Sequence, residues 1–386
     1  MPAPSQQHYE VLIIGAGMVG SSLACALARG GLPSTARVLL VEAAPIRQLA
    51  PAQQPGYDAR STVLSAGTVA CFAQLGLWES CRSAAEAILD IHVSDQGRFG
   101  TVQLHAAEEA VPALGYVMEN AALGRALNAG LLAAAGIELC APAEVRSLQP
   151  CAQGMRLELL AEGQQQVVTA ALVVLADGGR SGLPAALGIH TQTQPYEQTA
   201  LVANVSFTQP HRGVAYERFT PKGPLALLPL SDFEGQHRAA LVWTQPAAAA
   251  AEVLALPDAQ FLQRLQADFG DRVGAFTRVG RRASFPLQLQ LAQEQIRPGL
   301  VLLGNVAHTL HPVAGQGFNL ALRDSMLLAD TILQALQRGA DPGAFSCLQL
   351  YLQRARRDQQ LTIAFSDYMT RLFSSSSSPL VWARCR

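Results

Sequence analysis

A run of apolar residues, Val11-Leu12-Ile13-Ile14, is followed by Gly15-Ala16-Gly17-Met18-Val19-Gly20 and then by Ser21-Ser22-Leu23-Ala24-Cys25-Ala26-Leu27-Ala28. A short, unbroken apolar run bounded by turn residues suits a strand buried on both faces of a parallel sheet. The stretch after the glycines predicts a helix, closed by Gly30-Gly31, and Val38-Leu39-Leu40-Val41 predicts a second buried strand that ends at Glu42. The order is strand, G-x-G-x-x-G, helix, strand, acid. In that unit Gly15 permits the tight turn, Gly17 lets the backbone approach a pyrophosphate, and Gly20 lets helix and strand pack closely. The free N–H groups at the helix start favour phosphate. Glu42 can accept hydrogen bonds from an adenosine ribose.

Further along, the pattern changes period. Residues 88 to 104 alternate, with Ile91 and Val93 on one face, and Ala200-Leu201-Val202-Ala203-Asn204-Val205 and Ala239-Ala240-Leu241-Val242-Trp243 also read as strands. Leu172-Val173-Val174-Leu175 is a buried strand running into Asp177-Gly178, a turn that physics alone reads as an ordinary strand end. Leu300-Val301-Leu302-Leu303 is another, ending at Gly304-Asn305. The Gly315-Gln316-Gly317 turn then opens a helix expected from about Leu320 to Leu336. Residues 345 to 386 read as helical, losing order near Ser374 to Ser378. Ala247 to Ala251 begins a helix without chemistry.

Composition narrows the class. The chain has 386 residues, 49% hydrophobic and 15% charged, with a formal net charge of -1. That describes a well-buried chain with one large or two interleaved domains, and its lack of a basic tract argues against nucleic acid as a partner. Its 7 cysteines form no C-x-x-C pair, so neither a disulfide framework nor a zinc site is expected, and a reducing compartment fits. The uncharged stretch Val11 to Ala28 lacks the preceding Lys or Arg of a signal peptide, and its glycines argue against a spanning helix. A cytoplasmic protein is expected, at most peripheral at the inner face of the membrane.

The first motif serves NAD and FAD alike. The third separates them, because a helix opening at Gly315 to Gly317 stabilises negative charge, and a reduced flavin carries such charge near N1 and its C2 carbonyl. With Leu172 to Ser181 between them, the three motifs make the chain resemble the class A flavoprotein monooxygenases, the aromatic hydroxylases, over nearly its whole length. Tyr57-Asp58-Ala59-Arg60-Ser61 to Gly67, Leu310-His311-Pro312 and Gly315-Gln316-Gly317-Phe318-Asn319-Leu320 resemble the ubiquinone-biosynthesis branch. Gly304-Asn305, where most relatives have Gly-Asp, and Pro195-Tyr196-Glu197-Gln198 are similar to members acting on a polyprenylated methoxyphenol.

The resemblance implies an α/β protein of the para-hydroxybenzoate-hydroxylase-like kind: a Rossmann-like FAD-binding domain (1–75, 105–185 and 284–344) interleaved with a β-sheet substrate domain (88–104 and 186–283), then a helical C-terminus (345–386). It implies FAD as cofactor and hydroxylation through a flavin C4a-hydroperoxide. O2, a polyprenylated phenol and NAD(P)H or another electron donor would be its partners, within a possible ubiquinone-biosynthesis complex. Arg60 and Arg125 would face the phosphates, and Asp177 and Gly178 would touch the cofactor. Gly304 and Asn305 would hold the ribityl chain, and Pro312, Gly315, Gln316, Gly317 and Asn319 would border the flavin. His311, with Pro312, is the candidate for substrate contact, whereas His308 reads as structural. Pro184 replaces an arginine that many relatives carry, which weakens the case for direct NAD(P)H use. Relatives also continue past a segment like Pro379 to Arg384 into another apolar helix, whereas this chain stops at Arg386: either the gene is truncated or this version lacks that helix. Two alternatives stay open: a related hydroxylase for another aromatic, which an arginine clamp deep in the pocket would favour, and a non-catalytic flavin-bound subunit.

Overall fold

The computed structural model describes residues 7–46, 60–97, 100–311 and 315–374. The apolar runs become one sheet. Its order is Ile296–Arg297, Leu300–Leu302, Gln164–Leu175, Gln7–Ile14, Val38–Val41, Ile137–Cys140. The first strand pairs in parallel with both Gln164–Leu175 and Val38–Val41. Val11, Leu12 and Ile13 are wholly buried, as covering on both faces requires. The helix Met18–Arg29 packs one face with Leu23 and Leu27, which join Leu328 and Ile332 of the helix Gln316–Gln337 in one core. Each such leucine contributes roughly 1.5–3 kcal/mol on burial. The second helix begins four residues before the expected Leu320, directly after the glycine turn.

The alternating segments build a second sheet of 9 strands. Thr191–Phe207 lies at its centre and pairs with Gln236–Pro246 on one side and Ala283–Ala292 on the other. Outward from Gln236–Pro246 come Gly223–Phe233, Val214–Thr220, Asp90–Asp95 and Thr101–His105. The expected domain boundary at 284 therefore falls inside a strand. Ala283–Ala292 takes its backbone partners from the second sheet, and the chain returns to the parallel sheet only at Ile296. A hydropathy pattern cannot show this, because the strand alternates like its neighbours and only pairing assigns it.

One face of this sheet is covered by the helices Ala247–Ala255 and Asp258–Phe269. Trp243 meets Phe261 edge to face at 5.4 Å, and Tyr216 meets Phe269 at 5.5 Å. The opposite face, carrying Ala226, Leu228, Val242 and Thr244, looks into a cavity shared with the parallel sheet. A small sheet of Ser61–Ser65, Gly115–Glu119 and Ala85–Ile88 lies alongside. The long helix Phe345–Ser374 packs Leu348 and Tyr351 into the same core as Leu328; the stretch expected to lose order lies, past Ser374, outside the described residues. Among the described residues no helix is long and apolar enough to cross a membrane, and no group of His, Cys, Asp or Glu could hold a metal ion.

Candidate active site and cofactor cleft

The cavity measures about 1180 Å³ and runs from the first glycine turn to the open face of the second sheet. At its near end the Gly15 N–H donates to the Val41 carbonyl at 2.8 Å, which closes the turn between the first two parallel strands. A Cβ on Gly20 would stand 1.9 Å from the Gly15 carbonyl oxygen, so helix and turn approach as only glycine permits. Gly17 differs: a Cβ there meets nothing within 4 Å. Its space opens to the cavity at a helix N-terminus that no side chain caps. Those N–H groups are orphan donors suited to a pyrophosphate.

Glu42 follows the second strand as expected. Its carboxylate accepts from the Ala16 N–H at 2.7 Å and the Ala44 N–H at 2.9 Å. A carboxylate accepts about four hydrogen bonds, so it fixes the turn and keeps capacity for a ribose. Asp177 uses both oxygens in the same way, accepting from the N–H of Gly179 at 3.0 Å and of Ser181 at 2.6 Å. Asp177, Gly178 and Asn305 all line the cavity. Arg60 lines it too, with its guanidinium 4.7 Å over the Phe285 ring. Arg125 is the exception among the arginines. On the helix Asn120–Leu132 it is exposed and does not line the cavity, because its position on that helix turns it outward while Leu123 and Leu127 take the core.

At the far end, Gly315 adopts φ 60° and starts the helix Gln316–Gln337, also without a side-chain cap. Gly317 is bare toward the cavity, a Cβ there meeting nothing within 4 Å. Gly304 turns with φ 69° against Val19, joining this end to the first helix. Pro312 lies outside the described residues.

Asn319, expected beside the flavin, lines the cavity, but its side chain is fully buried and saturated. Its Oδ1 accepts from the Ser65 N–H at 2.9 Å and the Thr68 hydroxyl at 2.6 Å. Its Nδ2 donates to the carbonyls of Val63 at 2.9 Å and Gly315 at 2.8 Å. All four bonds of an amide are used, so the side chain staples the flavin-side turn to strand Ser61–Ser65 instead of reaching a ligand. Asn319→Leu should cost about 3–5 kcal/mol, since it leaves several buried groups unpaired. A denaturant midpoint unchanged from wild type would contradict that role.

The histidines separate. His308 is buried away from the cavity, its Nε2 3.0 Å from Asp324 Oδ2, which also accepts from Gln359 Nε2 at 2.9 Å. That placement is a structural one, with a carboxylate as partner. His311 lines the cavity where three elements meet. The Tyr196 ring stands against it at 5.3 Å, Tyr196 Oη–H donates to Asp367 Oδ1 at 2.9 Å, and the Ser366 hydroxyl donates to the His311 carbonyl at 3.4 Å. Burial pushes His311 down to about 4, so it is a neutral imidazole at physiological pH.

Sequence reasoning missed Glu217. It sits on strand Val214–Thr220, half-buried in the cavity wall, and the surrounding protein pushes its carboxyl up to about 7. A signal existed: Glu217 shares strand parity with the apolar Ala215 and Phe219, an unusual place for an acid.

Two open backbone approaches, an acid at one end and uncapped helix starts at both ends of one cleft fit an extended dinucleotide carrying a flavin. Comparison with known proteins agrees. The FAD binding domain family matches residues 8–365. The chain is 38% identical over 376 residues to the ubiquinone hydroxylase UbiL of Rhodospirillum rubrum, covering 97% of this chain and 84% of that protein. It is 31% identical to the 3-demethoxyubiquinol 3-hydroxylase of Escherichia coli, covering 98% of this chain and 94% of that one. Among solved structures, PqsL of Pseudomonas aeruginosa in complex with 2-aminobenzoylacetate superposes with TM-score 0.78 at 22% identity, over 96% of this chain and 97% of that one. The chain belongs to the class A FAD-dependent aromatic monooxygenases, in their ubiquinone-biosynthesis branch.

Proposed function

We propose that this enzyme hydroxylates the ring of a polyprenylated methoxyphenol in ubiquinone biosynthesis, taking electrons from NAD(P)H or another donor. The observation that carries the reading is the continuity of the cavity from the cofactor turn to an apolar sheet face. Bound FAD supplies a reduced, oxygen-reactive ring that delivers one atom of O2. The protein's own part is to bind, orient and keep water out. In this reading Gly17 and Gly317 admit the cofactor's backbone contacts, Glu42 holds the ribose, and Arg60 faces the phosphates. The helix start after Gly315 meets negative charge on the flavin.

The substrate end favours a phenol over an aromatic acid. The arginines lining the cavity, Arg60 and Arg180, stand with the cofactor turns, and the sheet face offers Ala226, Leu228 and Val242. An isoprenoid tail has an apolar way out past Phe365, with Leu361 and Tyr368 exposed at helical spacing beside it. That exit suits an enzyme working peripherally at a membrane surface.

Turnover under isotopically labelled O2 is expected to place one labelled oxygen on the product ring. A substrate analogue lacking the phenolic hydroxyl should fill the pocket and stay unhydroxylated, because the ring needs that oxygen to push electron density toward the attacked carbon. Label entering from water, or equal turnover of the deoxy analogue, would overturn the reading.

A further inference from the structure

Glu217 is an acid without an ionic reason to be where it is. Its strand neighbours are Val93 on one side and Ala226 on the other. The strand Gly223–Phe233 presents Pro224, Ala226 and Leu228 to the same cavity. Of the ionisable side chains nearby, Asp95 alone among those on its own strand and on the neighbouring Asp90–Asp95 shares its parity. Tyr216 and His92 have the opposite parity, with rings 5.7 Å apart, and Arg218 donates to the Asp268 carbonyl at 3.0 Å. Asp95 pairs with Phe219, at the end of its strand. Across the cavity His311 is neutral, and Arg60 and Arg180 stand at the cofactor end. Burial alone raises the Glu217 carboxyl, with no charge or hydrogen bond contributing.

Holding an acid half-buried in an apolar cavity wall is costly unless something arrives to bond it. A neutral ring hydroxyl is such a group. It brings one strong donor, and the carboxylate's negative charge raises the ring's electron density as it accepts. We propose that Glu217 recognises the substrate's phenolic hydroxyl, accepting its hydrogen, and turns away aromatic acids by like-charge repulsion. This rests on the phenol-hydroxylase reading above. When the proton transfers fully, the phenolic O–H bond breaks and an O–H bond forms on Glu217, leaving a phenolate beside a neutral acid. That proton returns to the same oxygen once the ring is aromatic again, the hydrogen of the attacked carbon having left as a proton.

The test uses the FAD-loaded protein and three small probes: 2-methoxyphenol, methoxybenzene and 2-hydroxybenzoate, with binding followed by the flavin absorbance change. Wild-type affinity for 2-methoxyphenol should rise with pH through about 7, as Glu217 ionises. Glu217→Gln should abolish that rise and weaken binding at pH 8 by about tenfold or more, the loss of one charge-assisted hydrogen bond. Methoxybenzene should bind both proteins alike, and 2-hydroxybenzoate should bind the variant more tightly. Glu217→Asp, which keeps the charge, should retain the pH dependence; FAD content reports folding in each case. Wild-type affinity and pH dependence in Glu217→Gln at normal FAD content would overturn the proposal, as would 2-hydroxybenzoate binding no better. These binding results decide the role of Glu217 by themselves, whereas absence of labelled product from the wild type would overturn only the function reading.

Discussion

Gly17→Val is expected to give a folded protein that no longer holds FAD. A Cβ at Gly17 meets nothing within 4 Å, so the apoprotein has no reason to rearrange. The added side chain instead occupies the space in front of the uncapped N-terminus of helix Met18–Arg29. A pyrophosphate pushed off those N–H groups loses at least two charge-assisted hydrogen bonds. At roughly 1.5–3 kcal/mol each, affinity falls by about 10²-fold or more. Gel filtration followed by flavin absorbance should show a colourless protein with wild-type circular dichroism. Full retention of flavin would mean the pyrophosphate lies elsewhere. Gly20→Val offers the contrast: its Cβ would sit 1.9 Å from a backbone oxygen, so it should fail in folding, not only in binding.

Gly315→Val and Gly317→Val should fail in different ways, although both glycines belong to one turn. Gly315 has φ 60°, and its Cβ would come within 2.9 Å of Val63. A β-branched residue there pays for left-handed backbone and for overpacking, together about 2–5 kcal/mol. Its Tm should drop even with no flavin present. Gly317 has open space, so Gly317→Val should keep the apoprotein's Tm and lose flavin occupancy or turnover. Equal thermal losses in both variants, or normal FAD content and turnover in both, would refute this division.

These contrasts show what was legible in the residues. The first unit, Val11 to Glu42, is local. Its strands, glycines and acid lie within one stretch, and the pattern alone placed them. Gly315 to Gly317 was legible for the same reason. What escaped depends on partners far away in sequence. Asn319 does line the cavity, but its side-chain bonds run to Val63 and Ser65 on a strand, and to Thr68 on the helix after it, all about 250 residues earlier. Strand Ala283–Ala292 carries no mark of the sheet it joins until Thr191–Phe207 pairs with it. Arg125 has the right helix but the wrong side of it. Glu217 broke the parity of its own strand, a signal strong in hindsight but weak while the strand's faces were unassigned.

The interleaving of the parallel sheet also orders events in time. Gln7–Ile14 leaves the ribosome early, but its neighbour Gln164–Leu175 and that strand's neighbour Leu300–Leu302 follow much later. Gly15 and Gly315, the two ends of the cleft, are 300 positions apart. At about 5–20 residues per second, roughly 15–60 s of synthesis separate them. Until then the nascent chain can offer a nucleotide only half its grip, and Val173 to Leu175 keep open the edge that Leu300–Leu302 fills. Cofactor loading thus waits for Gly315 to emerge, and a shortage of flavin leaves waiting only chains that already hold both ends of the cleft.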